Sequence, residues 1–239
     1  MTPVKEQHIS SAYDRDLDAI TTLILKMGGL VEDAILQAAE SLANRDVELA
    51  EKVRKGDKVI DALELEISEA AARTIALRAP VSRDLRSLLT VLRLAAALER
   101  IGDYAKNMAK RTSVLVDMTP IAGAEASLRR MAREVQGMLK DTLDAYIKGD
   151  AQLAEDVRQH DQDVDQMYNA LFREFLTFMM EDPRNITACM HLHFMAKNIE
   201  RMGDLTTNMA EQVIYLITGE MPEEARPKSD RTSYMKEPE

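Results

Sequence analysis

The sequence predicts an all-α protein built as two tandem, pseudo-symmetric three-helix bundles, six long antiparallel helices in all. Three observations carry that expectation. Hydrophobic residues make up 46% of the 239 residues but aromatic residues only 4%, with no Trp; cores of Ala, Leu, Ile and Met are usually helical, whereas sheets draw on aromatic and β-branched side chains. The seven prolines stand at 3, 80, 120, 183, 222, 227 and 238, leaving long proline-free stretches in which helices can run. The apolar pattern of the first hundred residues then returns in the second hundred.

The first helix is read from Leu17, Ile20, Ile24, Met27, Val31, Ala34, Ala38 and Leu42, which step by three and four. Gly28 and Gly29 are its expected weak point, because glycine in a helix interior loses backbone entropy. A second helix follows a capping aspartate, Asp46, and carries Leu49, Val53, Ile60, Leu63, Ile67, Ala70, Thr74 and Leu77 on a heptad-like stripe, with Gly56 in one slot. A third starts after Pro80 with Leu85, Leu88, Leu92 and Ala95. The segment "DMTPIAG", 117–123, then breaks the pattern and marks a boundary.

Beyond it the chain begins again. Leu128, Met131, Val135, Met138 and Thr142 repeat the first helix at an offset of 104, and Leu153, Val157, Val164, Met167 and Leu171 repeat the second. Identities persist in "LAEKVRKGDKVID" (49–61) and "LAEDVRQHDQDVD" (153–165). Pro183 answers Pro80, and the offset falls to 101 in the last helix, which places a three-residue loss in the turn before it. The expected organisation is a first repeat over 1–118, a linker over 119–123, a second repeat over 124–219 and a disordered tail over 220–239.

The formal charge of −10 argues against a nucleic-acid partner, which demands a basic face. The polar start "MTPVKEQHISS" lacks the apolar core of a secretory signal, and no apolar run approaches the ~20 residues of a membrane span. A cytoplasmic protein is expected, with any membrane role running through partners or surface contact. The single cysteine, Cys189, excludes an intrachain disulfide and reads as a packing residue.

Chemistry enters through a phrase written twice, "LERIGDYAKN" (98–107) and "IERMGDLTTN" (199–208). Extending the third-helix stripe places Glu99 and Asp103 on the apolar face or at its edge, and Glu200 and Asp204 do the same in the last helix. The second helix of each unit adds Asp57 with Asp61, and Asp161 with Asp165. Acids at i and i+4 share a face, where they repel; desolvation beside an apolar seam adds to that cost. Four carboxylates converging in each unit call for a cation, and oxygen ligands point to magnesium, manganese, calcium or iron. Gly102 and Gly203 would let a neighbouring helix or an ion cluster approach closely. Asn107 and Asn208 continue the face as donors behind the ligands, as late ligands, or as interhelical hydrogen-bonding groups. Arg100 and Arg201, also repeated, are read as pairing with the acids, with a surface presented to an anion as the alternative. His160 and His193 are the positions from which nitrogen ligation could join in the second unit.

Catalytic signatures are missing. No histidine has a Glu three residues before it, as oxidative di-iron bundles require, and HExxH, GxxxxGK[ST] and GxSxG do not occur. A non-enzymatic protein is expected; a metal-dependent enzyme using the carboxylates and a purely structural helical scaffold are the alternatives.

The repeated acidic phrase, with 84–111 and 185–211 as its strongest stretches, resembles the PhoU family of bacterial phosphate-signalling proteins over residues 9 to 218. The resemblance implies a cytoplasmic adaptor coupling the high-affinity phosphate ABC transporter, through its ATPase component, to a sensor histidine kinase. It also implies repression of the phosphate-starvation response when phosphate is abundant, a homodimer, and polynuclear iron, manganese, zinc or magnesium at Asp57, Asp61, Glu99 and Asp103 and at Asp161, Asp165, Glu200 and Asp204. A histidine common after ERIGD in that family is Tyr104 here and Leu205 in the second copy, so the resemblance implies no nitrogen ligand at that position.

Overall fold

The computed structural model describes residues 4–222, with side-chain environments from Ala12 onward; most of the predicted tail, 223–239, lies outside the described residues. Six α-helices and no strand occur among them: α1 (Val4–Ala43), α2 (Val47–Arg78), α3 (Ser82–Leu115), α4 (Ala124–Lys148), α5 (Ala151–Glu181) and α6 (Ile186–Thr218). A single 3₁₀ turn, Pro183–Asn185, precedes α6.

The turns repeat as the sequence does. Asp46 caps α2 by accepting the Leu49 amide, and Asp150 caps α5 by accepting the amides of Gln152 and Leu153. The residue before each cap is left-handed: Gly149 at φ 64° in the second copy, and Arg45 at φ 55° in the first. Glycine takes that conformation without penalty, whereas Arg45 is held there by its guanidinium, which donates to the carbonyls of Leu115, Val116 and Met118 at the end of α3. The offset change is also visible. Ala79, Pro80 and Val81 connect α2 to α3, whereas in the second copy Asp182 leads directly into the 3₁₀ turn that replaces the first turn of the third helix.

Each unit buries its own three helices together, and the units also bury each other. α2 packs on α1 and α3, and α5 on α4 and α6; α1 then packs on α4 and α3 on α6. The helices α1, α3, α6 and α4 thus form a ring, with α2 and α5 outside it. α3 and α6 run antiparallel, as shown by Arg86 over the Tyr215 ring, Arg93 bonded to Gln212 and Arg111 over Phe194.

This double burial corrects the predicted stripes. In α3 the fully buried residues are Leu88, Val91, Leu94, Ala95, Leu98, Ile101, Ala105, Met108 and Ala109, while Leu85 and Leu92 are only half-buried. A helix covered on two sides has a wider buried arc than a single seam allows. On α2, Gly56 is exposed and Asp57 occupies the buried slot between Val53 and Ile60; Leu77, expected inside, is exposed. Gly28 is a crossing point rather than a weak one. A methyl group there would come within 2.3 Å of Leu143 Cδ1 on α4, while one on Gly29 would meet nothing within 4 Å.

Candidate metal centre

In the first unit the site is built where α2 and α3 approach each other. Asp57 is 3% exposed because it stands on the core stripe of α2. Opposite it on α3 is Gly102, whose missing side chain leaves room: a Cβ there would lie 3.1 Å from Ile60 Cδ1 and 3.6 Å from Asp57 Oδ1. Glu99 and Asp103 flank Gly102, both half-buried at the edge of the core rather than on it, and Asp61 is exposed one turn beyond Asp57.

The four carboxylates feel one another. Burial raises the Glu99 carboxyl above its ordinary range, and the charges of Asp103, Asp61, Asp57 and Glu64 raise it further. Burial also lifts Asp57; the Lys106 ammonium pulls it back, and Asp61 and Asp103 push it up. The Lys106 nitrogen lies 2.5 Å from Asp57 Oδ2 and 2.9 Å from Asp103 Oδ1, and these two hydrogen bonds raise its own pKa despite partial burial. The other oxygen of Asp57, Oδ1, is buried without a hydrogen-bond donor.

The second unit repeats the cradle. A Cβ on Gly203 would lie 3.4 Å from Asp161 Oδ1 and 3.4 Å from Val164 Cγ1. Asp161, Asp165 and Glu200 are all buried, and Asp204 is half-buried, so the second cluster lies deeper than the first. Lys197 donates to Glu200 Oε1 at 2.8 Å, and its ammonium lies 4.8 Å from the centre of the Tyr168 ring.

The remaining expected residues are placed differently. Asn107, Asn208, Arg100 and Arg201 are exposed. Asn208 lines a cleft with Arg93, Ala97 and Gln212 between α3 and α6, and the Arg201 guanidinium lies over the Tyr104 ring. Among the described residues neither Arg100 nor Arg201 forms an ion pair with an acid, and both are exposed. His160 is exposed and lines a small cavity with Glu134, Asp141 and Asp163. His193 stacks on Tyr168 and packs against Phe172, with a buried Nδ1 that has no hydrogen-bond partner. Cys189 is fully buried, and burial raises its thiol pKa, which makes it a packing residue.

Three members of this environment were not singled out from sequence. Lys106 and Lys197 sit three residues from an acid, a spacing too common in helices to stand out, and Glu64 has Tyr168 as its counterpart, so no repetition marks it.

Among the described residues no three His, Cys, Asp or Glu side chains stand in a ready-made coordination sphere. The donors nevertheless suit a hard cation. They are oxygens only, one buried oxygen of Asp57 lacks a donor, the facing glycine keeps the space open, and the repulsion around Glu99 calls for positive charge.

Comparison with known proteins places this geometry in context. The family described as PhoU domain matches twice, at residues 24–112 and 128–213. A curated relative from Caulobacter vibrioides, named phosphate-specific transport system accessory protein PhoU homolog, is 45% identical over 224 residues, covering 94% of this chain and 97% of its own. The crystal structure of PhoU from Pseudomonas aeruginosa superposes with a TM-score of 0.84 at 36% identity, over 87% of this chain and all of that one. The phosphate transport system regulatory protein PhoU from Streptococcus pneumoniae gives 0.81 at 30% identity, over 88% and 99%.

Proposed function

The chain belongs to the PhoU family, and on that premise we propose that it is an accessory regulator of phosphate-specific transport, acting as an adaptor rather than a catalyst. In this reading it works in the cytoplasm as a homodimer. It couples the ATPase component of a phosphate ABC transporter to a sensor histidine kinase and keeps the phosphate-starvation response off when phosphate is plentiful. The observation that carries the proposal is the acidic phrase duplicated in register within a chain whose relatives are named for phosphate-specific transport. Contact with the transporter is between protein surfaces; no helix among the described residues is long and apolar enough to cross a membrane.

Within the same proposal the clusters at Asp57, Asp61, Glu99 and Asp103 and at Asp161, Asp165, Glu200 and Asp204 bind iron, manganese, zinc or magnesium. The buried Asp57 oxygen without a donor and the glycine opposite it support this. A bound ion would neutralise the acids and tie α2 to α3 and α5 to α6, ordering the grooves that partners meet. The adaptor role is tested by deleting the gene and assaying a phosphate-starvation reporter in phosphate-rich medium. The reporter is expected to switch on; continued silence would rule the role out.

A further inference from the structure

Each carboxylate cluster holds a lysine, and the two lysines are not copies of one another. Lys106 follows Asp103 by three residues on α3 and bridges to Asp57 on α2. Lys197 precedes Glu200 by three residues on α6. At the offset of 101 that relates these helices, the counterpart of Lys106 is Thr207 and that of Lys197 is Ala96. Duplication of one ancestral unit therefore does not account for the pair; each half acquired its cation at its own position. A lysine three residues from an acid is ordinarily a weak surface contact. Here the acids reached are buried, Asp57 at 3% exposure and Glu200 at 5%, where a bare charge is costly.

We propose that Lys106 and Lys197 are internal counter-ions that stand in for the metal, each competing with a divalent cation for its own cluster, so that loading an ion releases the ammonium. This rests on the reading that the clusters bind a cation. An ammonium and a divalent ion cannot keep the same carboxylate oxygens, because at such separations they repel strongly. Release is sterically open to Lys106: its side chain is 41% exposed, and a four-carbon stem can carry its head into water. The consequence is a chain that stays folded before loading and a threshold ion concentration for occupying each unit.

The test is Mn²⁺ binding to the full-length chain by equilibrium dialysis with metal analysis, together with thermal melts with and without Mn²⁺. Lys106→Thr, which copies the second unit, is expected to tighten the first site about tenfold or more. Lys197→Ala should do the same at the second site, and Lys106→Arg should keep the wild-type affinity. Without ion, Lys106→Thr is expected to melt below wild type, and Mn²⁺ should close that gap. Lys106→Met, which keeps the apolar stem, gives the same reading should Lys106→Thr unfold without ion. Unchanged or weaker Mn²⁺ binding in Lys106→Thr and Lys106→Met, with wild type binding normally, overturns the counter-ion role and leaves the metal reading intact. Absence of binding in every protein overturns both.

Discussion

Gly102 on α3 packs against Asp57 on α2 so closely that a methyl group added to the glycine would lie 3.6 Å from Asp57 Oδ1. Gly203 stands in the same relation to Asp161, at 3.4 Å. A helix interior favours alanine over glycine by about 1 kcal/mol, so this pair is held by the close approach and not by helix propensity. The approach sets the separation of the two acidic pairs in each unit.

Replacing Gly102 by Leu is therefore expected to force α2 and α3 apart. Denaturant unfolding should show a loss of about 1–3 kcal/mol, the usual cost of overpacking. Metal analysis should show the first unit weakened and the second unaffected. Undiminished binding in the first unit would separate the glycine from the site.

The double variant Glu99→Ala with Asp103→Ala removes two of the four carboxylates proposed to hold metal in the first unit while leaving Asp161, Asp165, Glu200 and Asp204 in place. Bound metal should fall in that unit alone. Equal loss from both would show that the two clusters do not bind independently.

The adjacent glycines of α1 should respond in opposite directions. Gly29→Ala meets nothing within 4 Å and is expected to stabilise the protein by about 0.5–1 kcal/mol through helix propensity. Gly28→Ala drives a methyl group to 2.3 Å from Leu143 Cδ1 at the α1–α4 crossing, so its propensity gain is offset by a repacking cost of about 1 kcal/mol or more. Paired urea titrations distinguish the two; equal gains would mean that the crossing is loose.

His193 supplies a pH dependence. Burial, and then the Lys197 charge, lower its pKa below the ordinary 6.5, so the folded chain favours the neutral ring. The unfolded chain binds the proton more readily, and stability falls as pH drops through 6.5 toward the folded value. His193→Leu, which restores the Leu92 of the first unit, should reduce this acid-side loss. The portion due to His191, whose pKa is lowered by burial and then by Arg111, should remain. Thermal melts between about pH 7 and 5 read the difference; an unaltered slope would assign the loss to other groups.

The helices were legible because their signals are local. Helical periodicity, the Asp46 cap and the break in the pattern at 117–123 depend on neighbours in sequence; the structure has the helices and the cap, and α3 ends at Leu115 before α4 begins at Ala124. The second unit was legible because it repeats the first. Less legible was which residue of an acidic pair is buried. Asp57 and Asp61 are written alike, yet one occupies the core stripe and the other is exposed, while their copies Asp161 and Asp165 are both buried.

The sequence by itself determined six helices, their duplication and the acids set in register, since each follows from residue spacing along one helix. Only the tertiary structure decided what faces those acids. Packing of α3 on α6 and of α1 on α4 widened the buried arcs, packing of α2 on α3 brought Lys106 between Asp57 and Asp103, and Asn107, Asn208, Arg100 and Arg201 were left exposed. Spacing along a chain fixes the face of a helix; the partner across the groove is fixed by how helices distant in sequence pack together.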